Sequence, residues 1–191
     1  EVETLREIWV LRALIANHGL TAALTHVRIN ATQLHNAIRK SISMDHAADD
    51  PVFRLSYLTA VAERIETAKP ETVNFGSVAT EKTTARRVFM LIAQMLKHLD
   101  GAEPIRFLIA ECETPFTLLT ALYFAKRFGV DRQIDISPLF ETINALERGV
   151  AVLEGALEVP AYREYLRARG RMCIQTGFSD AGRYLGQIAA S

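Results

Sequence analysis

Cysteine is scarce in this chain. Its 191 residues hold only Cys112 and Cys173, each after an apolar run and without Cys-x-x-Cys spacing. That pattern excludes a disulfide framework and reads as two buried, reduced thiols in a cytoplasmic protein. Excess charge is also missing. The 22 basic and 22 acidic side chains cancel, which argues against a nucleic-acid or anionic-membrane partner. No apolar run approaches the ~18 residues of a membrane span. There is no internal repeat and no low-complexity tract. The first residues, Glu1-Val2-Glu3, are acidic and amphipathic rather than a signal peptide, and the missing initiator Met suggests a partial chain. The five histidines show no ligand spacing with Cys or with one another.

What remains is an ordinary globular balance, 49% hydrophobic and 23% charged, long enough for one sizeable core or a large piece of a bigger domain. Helical patterns dominate. Leu5, Ile8, Trp9, Leu11 and Ile15 mark an apolar face over 4–17, with Gly19 as a stop. Residues 20–30 read as a strand that delivers Arg28, 31–40 as helix, 41–53 as loop and 54–68 as helix. Residues 70–80 look irregular, with a short strand around 73–78. Val88, Leu91, Ile92, Met95, Leu96 and Leu99 define another helix. Strands follow at 105–110, 134–140 and 172–176. The helices between them start at Thr114-Pro115, Thr142 and Pro160, and Gly170 stops the last. Residues 181–191 read as the start of a helix.

Single strands alternating with helices predict a parallel sheet covered by helices. Strand ends near 30, 111, 141 and 180 favour a segment of a (β/α) barrel, mostly helical and with extra helices. In such a fold functional groups gather at the carboxyl ends of strands. Arg28, Glu111, Glu113, Glu141 and Asp180 all fall there. Glu141 ends Pro138-Leu139-Phe140-Glu141-Thr142, and Asp180 ends Gly177-Phe178-Ser179-Asp180. Their spacing of 39 positions is about one strand–helix–strand unit, so the two carboxylates are expected side by side as hard oxygen ligands for Mg²⁺ or Mn²⁺. Glu111 and Glu113 read as solvated loop acids, and Gly177 as a backbone requirement.

These stretches resemble phosphoenolpyruvate carboxylase. The 138–142 segment with Ala145-Leu146 is similar to that family's metal-ligand strand, and 177–180 with Ala189-Ala190-Ser191 to its Gly-Tyr-Ser-Asp motif and following helix. Residues 110–119 resemble its strand end and Ser/Thr-Pro helix start, and Val27-Arg28 its Asp-Ile-Arg-Gln strand. Tyr162-Arg163 also fits, while 41–99 match poorly. The resemblance implies a single segment, 1–191, of a TIM-type barrel domain in a longer enzyme. That enzyme, a cytoplasmic, anaplerotic lyase and expected homo-oligomer, would carboxylate phosphoenolpyruvate with bicarbonate to oxaloacetate and phosphate. It implies Mg²⁺ (or Mn²⁺) held by Glu141 and Asp180, substrate held by Arg28 and Ser179, and Arg183 as a catalytic residue where the family has a Lys linked to bicarbonate handling. The departures are Arg183 for that Lys, Tyr184 for an acid, Ile29 for Gln, and Gln33-Leu34 for an Arg-His pair. No Thr-Ala-His-Pro-Thr motif and no Gly-Arg-Gly-Gly loop occur. The segment alone is therefore expected to be inactive. The alternative is a non-catalytic or regulatory relative that binds an anionic metabolite or a protein partner.

Overall fold

The computed structural model describes residues 2–18, 25–99 and 104–177, together with 182 and 186. Eight α-helices and four strands are described: α1 (Val2–His18), β1 (His26–Asn30), α2 (Ala31–Ile38), α3 (Arg54–Thr67), α4 (Phe75–Thr80), α5 (Thr84–His98), β2 (Ile105–Ala110), α6 (Pro115–Arg127), β3 (Ile134–Phe140), α7 (Ile143–Leu157), α8 (Pro160–Arg169) and β4 (Gln175–Thr176). A 3₁₀ turn, Arg39–Ser41, extends α2.

The strands form one parallel sheet in chain order, β1-β2-β3-β4. This is the mostly helical α/β arrangement that the alternating pattern predicts. Parallel neighbours joined by right-handed crossovers leave all connecting helices on one face. β3 is buried on both faces, and β2 on both but for Arg106. Ile29, Phe107, Ile109 and Ile136 are buried, and Phe89 of α5 stacks on Phe107 at 4.6 Å and contacts Phe124 of α6 at 5.8 Å. The alternate residues share the opposite face: His26, Arg28 and Asn30 of β1, Arg106, Leu108 and Ala110 of β2, Asp135, Ser137 and Leu139 of β3. Ile29 and Leu34 are core residues, 3% and 0% exposed. Gln33 caps α2, accepting from the Asn30 N–H at 3.1 Å while Asn30 Oδ1 accepts from Thr32 N–H at 2.8 Å.

Three expectations are corrected here. Residues 75–80 are a helix rather than a strand. Asn74 and Ser77 form a reciprocal cap, Ser77 N–H to Asn74 Oδ1 at 2.8 Å and Asn74 N–H to Ser77 Oγ at 3.0 Å. That capping pair outweighs the loose apolar alternation around it. The last strand is only Gln175–Thr176. Where it does not reach, Tyr165 of α8 takes over the edge of β3: its hydroxyl accepts from Ile136 N–H and donates to Ile134 C=O, both at 2.9 Å. Cys112 is buried as expected, but Cys173 is only half-buried; both are free thiols. Gly170 ends α8 in the left-handed region at φ 67°, as its position predicts. The expected helix at 181–191, apart from 182 and 186, and the Gly19 stop lie outside the described residues.

Candidate functional site

β1 carries Arg28 to the face opposite Ile29. β3 ends at Phe140, and Glu141 follows with the inward parity of Ser137 and Leu139. The two side chains meet across β2, which lies between β1 and β3. Arg28 Nη2 lies 3.2 Å from Glu141 Oε1 and 3.3 Å from Oε2. The pair is asymmetric: the Glu141 side chain is 9% exposed and that of Arg28 58%. The carboxylate is fixed at a strand end, while the guanidinium reaches in from solvent.

Gly177 packs directly on Glu141. Its N–H donates to Phe140 C=O at 2.9 Å, continuing the β3–β4 ladder. A Cβ at this position would sit 2.4 Å from Glu141 Cβ and 3.2 Å from its Cα. Only a residue without a side chain lets the chain pass the glutamate this closely. Asp180, expected beside Glu141, lies outside the described residues, as do Ser179 and Arg183.

The two other acids at the end of β2 differ from expectation in part. Glu111 is exposed, at φ 55°. Glu113 is not a free loop acid: it accepts from Thr142 Oγ1 at 2.6 Å. The same Thr142 oxygen accepts from Ala145 N–H at 3.0 Å and so caps α7. Glu113 therefore ties the end of β2 to the residue after Glu141. Thr114 stands at the N-cap of α6 as expected, but its side chain makes no capping hydrogen bond. Its Oγ1 lies 3.1 Å from Thr117 Oγ1, which lies 2.9 Å from His35 Nε2. Burial, with help from the Arg39 charge, lowers the His35 pKa to about 4, so the ring is neutral at pH 7. Thr32, His35, Glu111, Glu113 and Thr142 line one cleft of about 340 Å³. His35 carries no short-range signal in the sequence, because its partner is 82 positions away.

The lower part of the same face is also charged. Asp135 is held by Arg169 Nε at 3.0 Å and by Arg171 Nη2 at 2.6 Å. Arg106 Nε and Ser137 Oγ are buried with no hydrogen-bond partner among the described residues.

Among the described residues no three His, Cys, Asp or Glu side chains converge as a metal cage would. Glu141 by itself suits a hard divalent cation. Both of its oxygens face one cationic nitrogen, so a positive charge already occupies the position that bidentate carboxylate ligation would use. No helix among the described residues is long and apolar enough to cross a membrane.

A parallel sheet in sequential order, with an acid and an arginine gathered at its carboxyl ends, is the layout of a (β/α) enzyme fold. The sequence model of phosphoenolpyruvate carboxylase matches residues 6–191: the chain belongs to the phosphoenolpyruvate carboxylase family. The match runs through 41–99, which motif reading alone leaves unmatched. The chain is 30% identical over 194 residues to the phosphoenolpyruvate carboxylase of Xanthomonas campestris pv. campestris (strain 8004), covering 97% of this chain and 20% of the relative. It is 26% identical over 181 residues to that of Chromohalobacter salexigens, covering 93% and 20%. With the Corynebacterium diphtheriae enzyme the identity is 31% over 114 residues, 59% of this chain and 12% of the relative. The chain thus spans at most about a fifth of the length of these relatives.

Proposed function

We propose that this chain is a barrel segment of a phosphoenolpyruvate carboxylase and supplies half of its active site. The supporting observation is the meeting of Arg28 and Glu141 at the carboxyl end of the sheet. The overall reaction joins bicarbonate to phosphoenolpyruvate and yields oxaloacetate and phosphate. Glu141 and Asp180 would hold Mg²⁺ or Mn²⁺, and that ion supplies Lewis-acid charge stabilisation and a template for the phosphoryl group when bound. Arg28 presents a planar, permanently charged guanidinium to the substrate's anionic end. By the motif match, Ser179 would offer its hydroxyl to the substrate. Arg183 offers a cation for bicarbonate handling.

Two departures from the family pattern lie away from this chemistry. Ile29 and Leu34 are packed in the core, and Gln33 serves as a helix cap. That observation favours the enzyme over the regulatory relative. Arg183 and Tyr184 keep the second reading open to test.

The test is a carboxylase assay on the full natural polypeptide. Oxaloacetate should form with phosphoenolpyruvate, bicarbonate and Mg²⁺. Glu141→Gln should lower kcat by at least about a hundredfold, in line with removing a charge-stabilising group. Arg28→Met should raise the KM for phosphoenolpyruvate. A wild-type polypeptide that binds phosphoenolpyruvate but forms no oxaloacetate would establish the regulatory relative instead.

A further inference from the structure

One nitrogen, Arg28 Nη2, touches both oxygens of Glu141, at 3.2 and 3.3 Å. A cation ligated by this carboxylate would use the same two oxygens. Two positive charges cannot share them, because a guanidinium and a divalent cation this close repel strongly. Among the described residues no second cation pairs with Glu141. The two side chains also differ in freedom. Glu141 is fixed between Gly177 and the end of β3, whereas Arg28 is more than half exposed and can leave by a rotamer change.

We infer that Arg28 and a divalent cation compete for Glu141, so that an anion which draws Arg28 away and a cation which takes Glu141 favour each other's binding. The inference rests on the reading of Glu141 as a ligand proposed above. Without an anion, Arg28 neutralises the carboxylate and weakens cation binding. A phosphoryl or carboxylate group gives the guanidinium a better partner and frees both glutamate oxygens. Linkage makes the effect reciprocal: the factor by which anion tightens cation equals the factor by which cation tightens anion. Arg28 thereby orders the filling of the site, in addition to contacting substrate. Because the pair is partly solvated, the coupling belongs at the low end of the usual range, about five- to tenfold.

Mn²⁺ titration of the full natural polypeptide, read from the electron paramagnetic resonance of free Mn²⁺ with and without inorganic phosphate, tests this. Wild type should bind Mn²⁺ about five- to tenfold more tightly with phosphate. Arg28→Met should bind Mn²⁺ about fivefold more tightly than wild type without phosphate, and phosphate should then change its affinity by less than about twofold. Arg28→Lys, which keeps a charge but has no fork, should fall between them. Arg106→Met removes an equal charge from the same face and should leave Mn²⁺ affinity unchanged. Normal Mn²⁺ affinity in phosphate-free Arg28→Met overturns the competition, as does an equal gain in Arg106→Met, which would show a bulk-charge effect. Glu141→Gln separates the layers. If it loses Mn²⁺ while Arg28→Met is unchanged, only the competition fails; if it binds Mn²⁺ normally, the ligand reading fails and the competition with it.

Discussion

Glu141 is held in place by what surrounds it more than by its own strand. Gly177 clears the space beside it, so Gly177→Ala forces a contact of 2.4 Å with the glutamate Cβ. Overpacking of this kind costs about 1–3 kcal/mol. The variant should lose Mn²⁺ affinity in calorimetric titration while α2 and α6 keep their amide protection. His35 gives a prediction with a sign. Its folded pKa of about 4 lies below the unfolded value of 6.5. Between those values the unfolded chain binds the extra proton, so stability falls as pH drops from 6.5 to 4 and is level above 6.5. The full span is about 3 kcal/mol. Hydrogen exchange of α2 and α6 amides, corrected for intrinsic rate, should lose protection between pH 7 and pH 5, and His35→Gln should flatten that loss. Glu141 and Arg28 were legible from the sequence because each ends a recognisable strand. His35 and Glu113 were not, because Thr117 and Thr142, their partners, are distant in the chain.

At the level of elements, β3 is completed from two sides that differ in kind. β2 pairs with it along five positions, whereas β4 pairs at only two. The Tyr165 hydroxyl fills the remainder by serving Ile136 N–H and Ile134 C=O. Burial and the neighbouring Asp135 raise its pKa, so it stays protonated and can donate. Tyr165→Phe leaves a buried donor and acceptor unpaired, at a cost of about 1–3 kcal/mol. The Ile136 amide should then exchange faster, while Phe107 on the β2 side keeps its protection. Helices with a clear apolar period and a Pro or Thr start were read to within a residue or two, as at Pro115 and Ile143. The helix at 75–80 was missed because six residues show too little periodicity, although its Asn74–Ser77 cap was present in the sequence.

Across the whole molecule, apolar surface stays uncovered. α1 is exposed all round, with Leu5 at 58%, Trp9 at 66% and Leu14 at 51%, although a helix apolar on most sides is normally a buried one. The far edge of β1 is also unpaired among the described residues, and open edges invite pairing. The 191-residue chain expressed alone should therefore self-associate in sedimentation velocity. Trp9 is its sole tryptophan, so fluorescence should shift to the blue as concentration rises. A clean monomer with the emission of a solvated indole would contradict this. The same isolated chain should form no oxaloacetate.

By itself the sequence determined the alternation of strands and helices, the parallel sheet, the Thr142 cap, the Gly170 stop and the motifs that carry the family, because periodicity and capping act over a few residues. Only the tertiary structure decided that Arg28 spans β2 to reach Glu141, that Gly177 must stay bare beside it, and that Tyr165 finishes the edge of β3. Those depend on strand register and on which face each side chain takes, and both are settled only when distant segments pack.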